Sequence, residues 1–231
     1  MNQTWVNILP DHPYSGYLSL PPLGSGPGLI LLQEIWGVNS HIQAIADSYA
    51  QAGFVVLAPD IFWRLTPRLN LEYDKKGSQK AFECLQTLDK TRAVEDTVQA
   101  IEFLKSHPQV NGKTGVIGFC LGGQLAYRSA AAGNVDAAIC YYGGQIASHL
   151  DVADQLSCPV IFHHGTKDTH IPNGDVEQVK QTFANRSNAQ FFDYETGHGF
   201  NCWGRPSMYD LNSAVLAQGR TLTFLAETLC I

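Results

Sequence analysis

Short apolar runs alternate along this chain with longer segments whose apolar residues recur every three or four positions. The runs predict buried β-strands, and the periodic segments predict amphipathic helices. The predicted strands cover residues 28–34, 54–58, 114–118, 137–142, 159–164 and 190–194. The predicted helices lie near 40–52, 79–107, 121–132, 173–185 and 206–229.

The alternation of apolar strands with helices predicts an α/β fold. The expected architecture is a mainly parallel central sheet that helices cover on both faces. The sequence contains no internal repeat, no low-complexity segment and no linker that would separate two domains. We therefore expect a single domain over residues 1–231.

Composition and charge narrow the class of protein. The chain is 45% hydrophobic and 16% charged, which suits a large core and excludes bulk disorder. The formal net charge is −6 and the basic residues form no run, so a nucleic-acid or membrane partner is not expected. The apolar stretches are too short to span a bilayer, and the first residues lack a signal-peptide pattern. These features predict a cytoplasmic monomer or small homo-oligomer.

One predicted strand-to-helix turn stands out. Residues 118–123 read Gly-Phe-Cys-Leu-Gly-Gly, which is the nucleophile-elbow pattern G-x-S-x-G with cysteine in place of serine. Glycine is needed two positions on either side because a side chain there would meet backbone. The helix that follows directs its dipole at Cys120 and favours the thiolate, and the N–H of Leu121 faces a developing oxyanion. The alternative is a tight structural turn with an inert thiol.

The nucleophile needs a base, and the base needs an acid that orients it. In this architecture the acid precedes the histidine along the chain. Asp168 follows the predicted strand 159–164, and His198 follows the predicted strand 190–194. Both residues thus come from carboxyl ends of strands. A loop Asx-turn for Asp168, a structural loop histidine, and a metal site formed by His164, Asp168 and His170 remain as alternatives.

Several blocks together carry a resemblance to a known family. The sequence resembles the dienelactone hydrolases, which are cysteine members of the α/β-hydrolase superfamily, and the resemblance covers nearly the whole chain. The similar blocks are residues 33–39 (Gln-Glu-Ile-Trp-Gly-Val-Asn), 54–60, 118–123, 164–168 and 197–200. The resemblance implies that Glu34 hydrogen-bonds the resting Cys120 thiol and accepts its proton when substrate arrives. It also implies that the N–H of Ile35 is a second oxyanion donor, whereas a purely structural Glu34 is the alternative.

The chain departs from the family at positions that bind the substrate carboxylate. Cys202 stands four residues after the expected catalytic histidine, where the family has an arginine. Ser78 and Phe82 stand where another arginine and a tyrosine are expected. Arg205 and Arg64 are the cations that could substitute. Because paired arginines are a main source of carboxylate specificity, the departures leave the natural substrate open.

The resulting hypothesis is a hydrolase for a small ester or lactone that acts through a Cys–His–Asp triad and needs neither cofactor nor metal. Side chains that could line its substrate pocket, or simply pack in the core, are Trp36, Phe119, Tyr142, Phe200, Trp203 and Arg205. The alternatives are a carboxylesterase or thioesterase for an uncharged substrate, a catalytically silent binding module, and a redox-sensing thiol.

Overall fold

The computed structural model describes residues 3–230. Their contacts divide the chain into two compact units, of which the first ends at Thr114 and the second begins at Gly115. Each unit contains strands and helices. A single domain over residues 1–231 therefore stays a prediction.

In its described residues, the first unit contains four complete strands and three helices. They are β1 (Gln3–Asn7), β2 (Ser15–Ser19), β3 (Gly26–Leu32), α1 (Ser40–Gln51), β4 (Val55–Pro59), α2 (Lys75–Thr87) and α3 (Lys90–Lys105). Strand β4 pairs in parallel with β3 and antiparallel with β2, which pairs antiparallel with β1. The apolar pattern did not predict β1 and β2, because β1 is largely exposed and β2 has only two large apolar residues.

The single helix predicted over residues 79–107 is wrong. The structure has α2 and α3 instead, and Asp89 separates them. The Asp89 carboxylate accepts hydrogen bonds from the N–H groups of Thr91 and Arg92 at 3.0 and 3.1 Å, so it caps the start of α3. Apolar periodicity continues across this cap, and periodicity alone therefore merges the two helices.

The second unit has strands that run in one direction. Its elements are β5 (Val110–Phe119, which spans the boundary), α4 (Leu121–Ala132), β6 (Ala137–Tyr141), β7 (Val160–Gly165), α5 (Asn173–Phe183), β8 (Ala189–Tyr194) and α6 (Leu211–Leu229). All adjacent pairs from β5 to β8 are parallel. A 3-10 segment at Ile146–Gln155 was not predicted, and α6 begins later than expected, where Asp210 caps it through the N–H of Ser213 at 2.8 Å.

The parallel order places the loops that follow β5, β7 and β8 at one edge of the second unit, where α/β proteins bind their ligands. Strands β6 and β7 are buried at every position. The predicted α/β fold with mainly parallel strands is confirmed. Among residues 3–230, no helix combines the length and apolarity that a membrane crossing requires.

Candidate active site

Cys120 lies at the bend between β5 and α4. Its φ of +55° and ψ of −113° are unusual for a residue other than glycine. Its N–H donates to the carbonyl of Tyr141 at 3.0 Å, and its carbonyl accepts from the N–H groups of Gly123 and Gln124 at 3.0 and 3.3 Å. These bonds hold both sides of the bend, and the Cys120 side chain remains partly accessible.

Glycines make this bend sterically possible. A Cβ on Gly118 would lie 1.9 Å from the carbonyl oxygen of Gly122, and a Cβ on Gly123 would lie 2.6 Å from that of Tyr141. Both distances are far below van der Waals contact. The sequence predicts that a side chain at this position of the elbow would clash with backbone, and the geometry at Gly118 agrees with that prediction.

The loops after β7 and β8 approach each other closely. A Cβ on Gly165 would lie 2.5 Å from the carbonyl oxygen of Thr196. The N–H of Thr166 donates to Tyr194 at 2.8 Å, and that of Lys167 donates to Thr196 at 2.9 Å. These backbone bonds extend the pairing of the two strands into their loops, and they bring the residues that follow each strand together.

This approach pairs His198 with Asp168. Nδ1 of His198 lies 2.7 Å from Oδ2 of Asp168, and the two side chains are only 10% and 2% exposed. The other carboxylate oxygen, Oδ1, accepts from the N–H groups of His170 and Ile171 at 2.7 and 3.1 Å. Asp168 thus forms an Asx-type turn within its own loop and also fixes the orientation of the imidazole.

The electrostatics of His198 favour its charged form. Burial lowers its pKa, but hydrogen bonds with Asp168 and with Cys120 outweigh burial and raise the pKa to about 10. Burial also raises the pKa of Asp168, yet the His198 hydrogen bond and the backbone donors outweigh it, so this pKa is lowered. His198 is thus paired with Asp168, and Cys120 is among the groups that raise its pKa.

Aromatic rings surround His198. The ring of Tyr142 meets the His198 ring edge-on with centroids 5.1 Å apart, and the ring of His170 lies 4.8 Å away. Tyr142 also packs on Phe200 at 5.3 Å and on Phe119 at 6.3 Å. Phe119, Tyr142 and Phe200 are at most 1% exposed, so their main role is packing beneath the site.

The remaining pocket candidates differ in exposure. Trp203 is 43% exposed, Trp36 is buried and Arg205 is half-buried. Arg64 lies in the first unit, where its guanidinium contacts both carboxylate oxygens of Asp96 at 2.8 and 3.2 Å. This pairing occupies Arg64, which makes it a poor replacement for a substrate-binding arginine.

Glu34 follows β3 in the first unit and is 3% exposed. Its carboxylate accepts a hydrogen bond from the hydroxyl of Tyr73 at 3.2 Å, and the Tyr73 ring packs on Trp36 at 5.1 Å. The sequence patterns did not indicate Tyr73, because it lies in a polar stretch without apolar periodicity. The role that the resemblance implies for Glu34, and that of the Ile35 N–H, stay predictions.

The two adjacent histidines of β7 face opposite sides of the sheet, as the strand geometry predicts. His163 contacts the hydroxyls of Tyr194 and Thr221 at 2.8 and 3.1 Å, and burial lowers its pKa to about 3. His164 stacks on Phe162, and burial lowers its pKa to about 4. Within the described part of the chain, Asp168 and His170 gather with His198 and not with His164.

Known proteins with similar sequences identify the family of this chain. The family model for the "Dienelactone hydrolase family" matches residues 14–229. Carboxymethylenebutenolidase 1 of Cupriavidus pinatubonensis is 30% identical over 92% of this chain and 91% of its own length. Carboxymethylenebutenolidase of Pseudomonas putida is 31% identical over 93% of this chain and 92% of its own length.

Solved structures agree on the fold. A crystal structure of a candidate dienelactone hydrolase from Klebsiella pneumoniae has a TM-score of 0.85 and 26% identity, covering 97% of this chain and 98% of that one. An α/β hydrolase from Penicillium, at 16% identity and a TM-score of 0.71, covers 100% of this chain and 99% of its own and shows the fold alone. The predicted resemblance is confirmed, and the chain belongs to the dienelactone hydrolase family.

Proposed function

We propose that this chain cleaves its substrate through an acyl-enzyme on Cys120, with His198 moving the proton and Asp168 orienting His198. The chain is a hydrolase of carboxylic ester or lactone bonds, as its family membership indicates. The observation that carries the proposed mechanism is the contact of His198 with the buried carboxylate of Asp168, with Cys120 among the groups that raise the pKa of His198.

The state that attacks the substrate is a Cys120 thiolate beside a His198 imidazolium. Two features support this state. Cys120 precedes the first turn of α4, where the helix dipole favours negative charge. His198 has a raised pKa, with Asp168 and Cys120 as the partners that favour its charge.

Acylation begins when the Cys120 thiolate attacks the carbonyl carbon and its oxygen becomes an oxyanion. The N–H of Leu121 belongs to the first turn of α4, where N–H groups lack an intrahelical acceptor, and in this proposal it stabilises that oxygen. The second donor, by family resemblance, is the N–H of Ile35. His198 then gives its proton to the leaving alkoxide, which leaves the acyl group on sulfur and a neutral imidazole.

Deacylation reverses these roles. Neutral His198 takes a proton from water as that water attacks the thioester, and the sulfur leaves as thiolate. The product is the free carboxylic acid, and the imidazolium–thiolate pair is regenerated. Asp168 keeps its proton-free form throughout, because His198 and two backbone N–H groups stabilise the carboxylate.

A second candidate function is hydrolysis of an uncharged ester or thioester. Arg64 pairs with Asp96, and Cys202, which stands where the family has an arginine, is fully buried. Both observations favour a neutral substrate over one that carries a carboxylate. A panel that compares lactone acids with neutral esters of similar size separates the two functions.

The mechanism is tested by assaying short aryl esters with the wild type, Cys120→Ala and Cys230→Ala. Cys230 is an exposed cysteine and serves as the matched control. We expect Cys120→Ala to lose turnover to near background and Cys230→Ala to retain it. Undiminished turnover by Cys120→Ala contradicts the proposed function.

A further inference from the structure

A cavity of about 340 Å³ borders His198. Its lining includes both His198 and His170, together with Lys167, Thr169, Ser207 and Tyr209. Cys120 is not part of this lining. The cavity therefore borders the His198 ring through a lining that does not include the nucleophile.

Three metal-binding side chains converge where this cavity meets the His198 loop. The ligand atoms of Asp168, His170 and His198 all lie within 4.8 Å of one another. Nδ1 of His170 is 3.8 Å from Oδ1 of Asp168, and Nδ1 of His198 is 2.7 Å from Oδ2. Two ligands on one tetrahedral zinc ion lie about 3.4 Å apart, because each bond is about 2.0–2.2 Å long. The spacing of these atoms brackets that value.

The three side chains differ in exposure, and the difference suits metal capture. Asp168 is 2% exposed and held by backbone N–H groups, so one ligand is fixed in place. The side chain of His170 is 59% exposed and can rotate towards the carboxylate at small cost. Two imidazoles and one carboxylate are ligands that zinc binds well, and the open cavity provides water for a fourth position.

We propose that Asp168, His170 and His198 form an inhibitory site for Zn²⁺ or a similar divalent transition metal. The ion replaces the proton between Nδ1 of His198 and Oδ2 of Asp168, and His170 completes the protein ligands. The metal is an inhibitor here and takes no part in the reaction described above.

The consequence for catalysis follows from the tautomer. With metal on Nδ1, the one remaining proton of His198 lies on Nε2. An imidazolium therefore releases one proton to solvent when metal binds, and a neutral ring moves its proton from Nδ1 to Nε2. Nε2 then cannot accept a proton from water, so turnover stops. The loss of activity rests on the proposed function, whereas metal binding does not.

Zinc chloride binding is measured by titration calorimetry on Cys120→Ala, in which a metal held between sulfur and His198 cannot form. We expect one Zn²⁺ per chain and at least about a tenfold loss of affinity when His170→Asn is added. His12→Asn removes an exposed histidine from the first unit and should leave binding unchanged. Absence of binding to Cys120→Ala, or equal binding after His170→Asn, overturns the proposal.

Activity is then measured on an aryl ester with and without Zn²⁺. We expect zinc to inhibit the wild type and chelation by EDTA to restore it, while His170→Asn keeps its basal turnover and resists zinc. Zinc that binds through His170 but leaves turnover unchanged overturns the inhibitory role. Failure of the proposed function itself appears separately, as full turnover of metal-free Cys120→Ala.

Discussion

His198 and Asp168 come from loops after different strands, yet Nδ1 of His198 lies 2.7 Å from Oδ2 of Asp168. The carboxylate is almost fully buried, and its other oxygen is occupied by two backbone N–H groups of its own loop. The position of the Asp168 carboxylate is therefore held by contacts other than the one with the imidazole. A carboxylate held in this way sets both the tautomer and the charge of His198.

Asp168→Asn tests this relationship. The amide keeps the size of the side chain but loses the charge that stabilises the imidazolium. We expect kcat to fall by roughly 10²–10⁴-fold, as in other triads that lose the acid. Glu195→Gln is the matched control, because Glu195 is an exposed carboxylate in the neighbouring loop. Equal losses in the two variants would show that the effect is general and not specific to the His198 contact.

The raised pKa of His198 predicts how stability changes with pH. Its pKa is higher in the folded chain, at about 10, than the ordinary value of 6.5. The contribution of the charged ring to folding is therefore complete below pH 6.5 and is lost as the pH rises towards 10. We expect the difference in unfolding free energy between the wild type and His198→Gln to shrink across this range.

Urea denaturation at several pH values measures that difference. In a Cys120→Ala background the decline should be smaller, because the Cys120 hydrogen bond is one of the causes of the shift. A difference that stays constant from pH 6.5 to 10 would refute the assigned charge state.

Gly118 provides a stability test of the elbow. In Gly118→Ala the new methyl group would lie 1.9 Å from the carbonyl oxygen of Gly122, so the turn must distort. We expect a loss of about 3 kcal/mol or more, and reduced reactivity of Cys120 in any folded fraction. Gly219→Ala in α6 is the opposite case, since a Cβ there would have no atom of another part of the described chain within 4 Å. It should gain about 0.5–1 kcal/mol.

Arg64→Ala tests whether Arg64 stabilises the folded chain or binds substrate. The buried carboxylate of Asp96 would lose its guanidinium partner and retain the indole N–H of Trp63 at 2.9 Å. We expect a loss of about 1–3 kcal/mol, measured by denaturation. The ratio of kcat/KM between esters with and without a carboxylate should not change. A large change in that ratio would mean that Arg64 binds substrate.

The local signals of the nucleophile turn are strong enough to read from sequence. Gly118 and Cys120 can be predicted because the steric demand of the turn involves residues that are close in the sequence. Asp168 and His198 can be predicted because the acid precedes the histidine along the chain in this architecture. Tyr73 was not foreseen as a partner of a site residue, and His170 was foreseen only in a metal site with His164 and Asp168, not beside His198. Their contacts depend on how loops fold back, which neither periodicity nor spacing encodes.

The errors in the predicted secondary structure also come from contacts that periodicity and spacing do not encode. The cap at Asp89 interrupts a segment whose apolar residues continue at helical spacing, so a local polar contact overrides the periodic pattern. β1 is exposed at most positions and lacks the alternation that marks a half-buried strand. Elements fixed by burial are thus predictable here, and elements fixed by pairing or capping are less so.

The central claim, an activated nucleophile at Cys120, is tested most directly by partial alkylation with iodoacetamide at neutral pH. Peptide mass spectrometry gives the labelled fraction of each cysteine, and an ester assay gives the remaining activity of the same samples. The account predicts that Cys120 reacts rapidly and that activity falls in proportion to its labelling, whatever the labelling of exposed Cys230. Full activity in protein whose Cys120 is completely alkylated would contradict it.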